Sequence, residues 1–263
     1  MFRLLALISL LLTPAEKMVE VARSYLGTPY ASSSIERVPE ALVVRKDSTD
    51  CMLFVELCLA TVISEEENRD AEASEALSDA VRTLRYRGGV VRGYSSRIHY
   101  FSEWLQQGRH LGILDEYTHK AGESFFQQFN YMSRHPSSYP RLAPALSGDV
   151  EALGTLKEIR RVERELEASN PYYRIPMSSV GPDGSIAGSR HRIQPGDILC
   201  FVSRAEGLDI AHVGIACPLP DGRMSFIHAS SRAGKVILEP RALCVYPAAG
   251  LRVARIRNKQ NFL

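Results

Sequence analysis

Cys51 opens a stretch, Thr49-Asp50-Cys51-Met52-Leu53-Phe54-Val55-Glu56-Leu57-Cys58-Leu59-Ala60, that reads as a buried helix. Met52, Val55 and Leu59 fall at helical spacing, as do Phe54, Leu57 and Cys58, so the apolar face is wide. Thr49 or Asp50 can cap the start, because a short oxygen side chain accepts from the free N–H groups of the first turn. Cys51 then lies in that first turn. The positive end of the helix dipole there favours a thiolate, and the free N–H groups suit an oxyanion. The alternative is a cysteine that only packs, since free Cys is among the most buried residue types.

A thiol nucleophile needs a base, and the base needs an orienting group. Ala211-His212-Val213-Gly214-Ile215 and Phe226-Ile227-His228-Ala229-Ser230 are strand-like runs separated by the turn Pro220-Asp221-Gly222-Arg223. A hairpin there brings His212 and His228 together. His212 can accept the Cys51 proton, and His228 can hold the imidazole in the required tautomer. His99, His110, His119, His135 and His191 have no such setting. Asp209 lies near His212 in sequence; it binds substrate or only shapes the hairpin, and is not assigned to the catalytic set.

These residues depend on elements of two kinds. The first part of the chain is helical in pattern: an amphipathic helix over Glu16 to Leu26 stopped by Gly27 and Pro29, then the Cys51 helix to about Ile63. Others follow near Ala71 to Leu84, Ile98 to Gln107 and Gly148 to Ala168. Trp104, the only tryptophan, is a core residue on this pattern, and the charges of the last helix form a solvated face. Gly108 to Tyr139 is poorly patterned, broken by His135-Pro136 and Tyr139-Pro140. From Tyr172 onward the pattern becomes short apolar or alternating runs with turns, over Tyr172 to Ile175, Asp197 to Val202, Ala211 to Ala216, Met224 to Ala229, Val236 to Leu238 and Leu251 to Ile256. Helices first and strands afterwards predict an α+β fold with an antiparallel sheet.

Length and charge narrow the classes. The 263 residues, 45% hydrophobic with a net charge of +2, suffice for one large domain, and no linker divides it. No basic run with interleaved aromatics points to nucleic acid. Five cysteines, Cys51, Cys58, Cys200, Cys217 and Cys244, are an odd number and leave at least one thiol unpaired within the chain. Their spacing offers no zinc site. Met1-Phe2-Arg3, the apolar run Leu4 to Leu12 and Thr13-Pro14-Ala15 read as a compact secretion signal over residues 1–15, too short for a permanent membrane anchor. The alternative is the start of the first helix of a cytosolic protein. Export implies a periplasmic protein with one folded domain over 16–263.

Five pieces in order, Gly27-Thr28-Pro29-Tyr30, Asp50-Cys51, Pro195-Gly196-Asp197-Ile198, His212-Val213-Gly214-Ile215 and Phe226-Ile227-His228-Ala229-Ser230, resemble the motifs of NlpC-like cysteine peptidases, papain-like hydrolases of bacterial cell walls. Asp50-Cys51-Met52-Leu53-Phe54-Val55-Glu56, Arg97-Ile98-His99-Tyr100-Phe101-Ser102-Glu103-Trp104 and Gly207-Leu208-Asp209-Ile210-Ala211-His212-Val213-Gly214 are similar to the N-acetylmuramoyl-L-alanine amidase-like branch. The resemblance runs from about residue 17 to about residue 256 and is weakest between Gly108 and Val150. It implies N-terminal helices, the Cys51 helix among them, packed on a C-terminal antiparallel sheet, with a long helical insertion at about 64–170. It implies a Cys51–His212–His228 triad acting on muropeptides, fragments of peptidoglycan, and cleaving the amide between N-acetylmuramic acid and L-alanine without metal or organic cofactor. Tyr30, Arg97 and Tyr100 are the expected substrate-binding residues, a cation for a peptide carboxylate and aromatics for a sugar face. Met52-Leu53 replaces the small or hydroxylated residues common after the cysteine. The alternatives are an endopeptidase cutting between D-glutamate and the third stem residue, a papain-like acyltransferase, and a catalytically silent wall-binding module.

Overall fold

The computed structural model describes residues 12–67 and 73–258. The apolar N-terminal run therefore lies, up to residue 11, outside the described residues. Helix α1 (Pro14–Ser24) starts with a capping box, in which Thr13 accepts from the Glu16 N–H and Glu16 accepts from the Thr13 N–H. The residue 15/16 boundary thus falls inside its first turn, and the helix begins and ends about two residues earlier than the periodicity predicts. Helix α2 (Cys51–Glu67) carries no Gly or Pro and buries almost every residue from Leu53 to Ser64. A helix apolar all round belongs in an interior, and α2 is the central helix of the molecule.

Six strands form one antiparallel sheet in the order β1-β8-β4-β5-β6-β7, with β1 (Leu114–Glu116), β4 (Ile198–Val202), β5 (Ile210–Pro218), β6 (Met224–Ser230), β7 (Lys235–Leu238) and β8 (Leu251–Ile256). Helix α1, α2, α3 (Ala73–Arg85) and α4 (Phe101–His110) pack on one face, where Phe54, Leu57, Trp104, Val213, Ile215 and Ile227 share a core. The opposite face buries Leu199, Phe201, Phe226 and Val253 under irregular chain. The alternation of odd and even residues along β5 and β6 follows from the two-residue period of a pleated strand.

The predicted insertion is woven into this frame at one end. Trp104 and Leu105 of α4 join the main core, and β1 forms the edge of the main sheet through its pairing with β8. The rest builds its own core, in which Leu156, Ile159 and Leu166 of α6 (Val150–Glu167) meet Tyr100, Phe129 and Met132, the last on the short α5 (Tyr131–Arg134). Strands β2 (Glu123–Phe125) and β3 (Tyr172–Arg174) pair separately, so the run at Tyr172 forms a strand but not one of the main sheet. The expected solvated face of α6 needs one correction: Glu163 is 3% exposed and accepts from the Tyr100 hydroxyl at 2.7 Å. All five cysteines are free thiols.

Candidate active site

Cys51 is placed by a local lattice of backbone bonds. Gly27 and Thr28 pair with Val236, and the Tyr30 N–H donates to Gly234 O, so the 27–30 segment runs along β7. The Thr49 N–H donates to Pro29 O and the Ala31 N–H to Thr49 O, which ties the approach to α2 onto that segment. Asp50 is the cap: its carboxylate accepts from the Leu53 N–H at 2.9 Å. The backbone N–H groups of Val213, Met52 and Cys51 itself face the Cys51 thiol. The helix start therefore supplies donors as expected. The charge expectation reverses, because burial and then the Asp50 carboxylate push the thiol up to about 12. The resting group is a thiol, not a thiolate.

The histidines meet as the hairpin predicts. Strands β5 and β6 are antiparallel neighbours joined by a turn in which the Leu219 N–H bonds Arg223 O. Their pairing extends from Pro218↔Met224 to Ile215↔Ile227, while β6 continues along β7 to Ser230↔Lys235. Continuing the first register sets Gly214 against His228. A Cβ at 214 would come within 2.7 Å of Phe226 Cδ2, 2.8 Å of Ile227 O and 3.3 Å of His228 Cβ. Glycine is thus required by close approach, and its missing side chain leaves room on that face for two imidazoles. His212 Nε2 and His228 Nδ1 lie 2.6 Å apart with the rings edge to face. Phe201, Phe226 and Tyr246 surround the His212 ring. Burial, reinforced by His228, depresses His212 to about 3, and burial depresses His228 to about 4 against the pull of Glu239. Both rings are neutral at pH 7.

Two cavities flank His212. One of about 610 Å³ is bounded by His212, His228, Arg232, Glu239, Arg241 and Tyr246 among others. A second, of about 270 Å³, is lined by Phe201, Arg204, Ala211, His212, Tyr246 and Ala248 among others. His212 and Tyr246 belong to both. Concave space at convergent polar groups is the usual form of a small-molecule site. Glu239 and Tyr246 are site residues that the sequence reading missed. Neither belongs to a recognisable motif, and both reach the site only through the β6–β7 pairing and the turn after β7.

The expected binding residues divide. Tyr30 is half-buried against the main core, and its phenol is pushed up by burial and then by the neighbouring Cys51 and Asp50, so it lies beside the thiol. Arg97 and Tyr100 are corrections. The Arg97 guanidinium is held by Glu36 at 2.5 Å and by Glu40 at 2.7 and 3.0 Å. Tyr100 is 2% exposed and its hydroxyl donates to Glu163 while accepting from the Met132 N–H. The charge of Arg97 is balanced by two carboxylates and the Tyr100 hydroxyl is engaged as both donor and acceptor, so both side chains are held by partners inside the protein. Asp209 is likewise structural, accepting from the Ser102 N–H at the start of α4 at 2.7 Å. Leu53 turns into the core and Met52 is half-buried beside it. Among the described residues no group of three His, Cys, Asp or Glu is placed to hold a metal ion, and no helix is long and apolar enough to cross a membrane.

Comparison with known proteins places the chain among relatives. A sequence model of the AmiA-like family, described as N-acetylmuramoyl-L-alanine amidase-like, matches residues 20–248. Among solved structures the chain is similar to an N-acetylmuramoyl-L-alanine amidase from Bacteroides uniformis, with a TM-score of 0.81 and 28% identity over 93% of this chain and 99% of that one. A Bacteroides fragilis protein provisionally named a xylanase gives 0.79 and 27%, covering 90% of this chain and 99% of that one. A Legionella pneumophila protein, at 0.63 and 17% over 93% of this chain and 89% of that one, shares the fold. No curated protein sequence matches.

Proposed function

The chain belongs to the AmiA-like, N-acetylmuramoyl-L-alanine amidase-like family, and on that premise we propose a cysteine-dependent hydrolase that cleaves the amide between N-acetylmuramic acid and L-alanine in muropeptides. The observation that carries this reading is the 2.6 Å contact between His228 and His212, the residue before Val213, whose N–H faces the Cys51 thiol. It supports the papain-like, NlpC-like architecture that the motifs imply, with a helix-borne thiol set against sheet-borne imidazoles.

The chemistry follows from the resting protonation states. Thiol and imidazole are both neutral, so the proton leaves sulfur for His212 as the sulfur attacks the lactyl carbonyl. His228 engages Nε2 of His212, which leaves Nδ1 to act as the base. Negative charge gathers on the carbonyl oxygen, and the N–H groups at the start of α2, with the Tyr30 hydroxyl, are the donors that steady it. The protonated His212 gives its proton to the departing L-alanine amine. The acyl group remains on sulfur as a thioester. His212, neutral again, takes a proton from water as that water attacks, and the sugar acid and free thiol are regenerated. A substrate with two unlike halves, sugar acid and peptide, suits two cavities that share His212 and Tyr246.

Mass spectrometry of a defined muropeptide digested by wild type and by Cys51→Ala tests the proposal. Free sugar acid and intact stem peptide from the wild type alone support it. A shortened stem still joined to its sugar establishes the endopeptidase reading instead, and equal products from both proteins remove the cysteine. Export to the periplasm belongs to the same proposal, supported by the basic start and apolar run of residues 1–15. So does one NlpC-like domain over 16–263. N-terminal sequencing of the protein recovered from the periplasm tests the boundary.

A further inference from the structure

His228 Nε2 is buried, has no hydrogen-bond partner within normal range, and has one charged group in front of it. Glu239 Oε2 lies 3.6 Å away, at the end of β7 on the next strand of the sheet. An orphaned buried ring nitrogen demands explanation, because an unmade hydrogen bond in an interior is costly. Glu239 is fixed at every other point. Its backbone N–H donates to Phe226 O and its carbonyl accepts from the Ser225 hydroxyl, both on β6. Its Oε1 accepts from the Arg241 backbone N–H and from Arg241 Nε at 2.8 Å. The Arg241 guanidinium lies over the Tyr246 ring. Burial works against the charge of Glu239, yet Arg241 and His228 hold the carboxyl below its usual range. Oε1 is therefore committed to Arg241, while Oε2 accepts only a long bond from Arg241 Nη2 at 3.4 Å and faces the histidine.

A neutral imidazole carries one proton, and where it sits on each of two touching rings is not independent. With a carboxylate before Nε2 of His228, that nitrogen carries the proton, and Nδ1 presents a lone pair. Across the 2.6 Å contact, His212 Nε2 must then donate. His212 Nδ1 is left without a proton, the form a base requires. The opposite arrangement puts the proton on His228 Nδ1, makes His212 Nε2 the acceptor, and leaves Nδ1 of His212 protonated and unable to accept from the thiol. We propose that Glu239 is a positioning residue that selects the first arrangement, setting the tautomer of His212 through His228. The proposal rests on the cysteine-hydrolase reading for its kinetic consequence, but its spectroscopic consequence needs no substrate.

The test uses the full-length protein with ¹⁵N-labelled histidine. At neutral pH the wild type gives Nε2–H tautomers for both His212 and His228. An Nδ1–H signature on His212 overturns the proposal whatever the variants do. In Glu239→Ala the Nδ1–H form of His212 grows in, kcat falls about 10²-fold, short of the roughly 10⁴-fold that a locked wrong tautomer costs a serine protease, and KM stays within about twofold. In Glu239→Gln the amide oxygen takes the Oε1 place against the Arg241 donors and the amide NH2 faces His228 Nε2, to which it can only donate. The Nδ1–H form of His212 therefore grows in there as well, and wild-type tautomers in Glu239→Gln overturn the proposal. Wild-type tautomers and unchanged kcat in Glu239→Ala overturn the proposal. If Glu239→Ala does not fold, the wild-type spectrum decides. If muropeptides prove not to be the substrate, the tautomer result stands and the substrate reading alone fails.

Discussion

Around Arg97 the buried charges are closed upon one another. Its guanidinium is shared between Glu36 and Glu40, and Glu40 also accepts from the Tyr86 hydroxyl. Nearby, Arg85 spans Glu56 Oε1 and the Val43 carbonyl, and the second oxygen of Glu56 is buried without a hydrogen-bond partner, but Glu56 lines neither cavity of the site. Around His212 the polar atoms form an open line. Glu239, His228 and His212 succeed one another across β7, β6 and β5, and the line ends at cavities. The two regions have similar burial and opposite chemistry. The Arg85–Glu56 pair joins α3 to α2 and the Arg97 cluster ties loops together, and pulling one partner away strands a charge. The open line has capacity left for a substrate.

That contrast is broken or sharpened by substitution. Cys51→Ala is expected to lower the hydrolysis rate by 10⁴-fold or more, about what a lost nucleophile costs elsewhere, with the thermal midpoint within a few degrees of wild type. Measured turnover above one per cent of wild type removes Cys51 from the chemistry. Arg97→Met is the reciprocal case. It leaves Glu40 buried without its cation and is expected to cost about 3–5 kcal/mol of stability in denaturant titration. KM for the protein that remains folded should be unaltered. Full stability with a raised KM would return Arg97 to the substrate site. Tyr30→Phe deletes one donor beside the thiol, and kcat should drop by roughly 10²-fold at most, the low end for one lost oxyanion donor. An unchanged kcat makes Tyr30 a packing residue.

The smallest effect is on pH dependence. His212 and His228 are depressed to about 3 and about 4, so the base stays unprotonated well below the ordinary imidazole range. The acid limb of kcat/KM is expected below pH 5, and a limb centred near 6.5 contradicts the neutral buried pair. Stability follows the same sign. Between about 6.5 and the depressed values the unfolded chain binds protons that the folded chain refuses, so the contribution of these rings is present above 6.5 and lost as pH falls. Replacing His99, depressed to about 3 by burial and then by Arg97, should flatten that acid loss in urea titrations between pH 4 and 7.

Much of this was legible in the chain. The Cys51 helix, its Asp50 cap and the β5–β6 hairpin follow from local pattern, and local pattern controls residues that are close in sequence. Edge strand β1 was hidden because three residues are too few to show alternation, and its place depends on β8, far along the chain. Arg97 and Tyr100 misled because a cation and a phenol look alike in sequence whether their partners are substrate or protein. Their partners, Glu36, Glu40 and Glu163, are fixed only by packing. Glu239 escaped for the converse reason: a carboxylate beside an arginine, Glu239-Pro240-Arg241, reads as a surface turn until a strand carries it under a histidine. The direction of the Cys51 shift failed since the dipole of a first turn is local, whereas the burial that outweighs it comes from the whole fold.

The imidazole contact rests on an absence at position 214, where a single hydrogen stands in place of a methyl group. The strand pair therefore works as a fixed caliper whose jaw width is set by one atom. Alanine there would wedge β5 from β6 and part the rings while leaving every reactive group chemically intact. Such a change would disarm the protein from a position that has no functional group to lose.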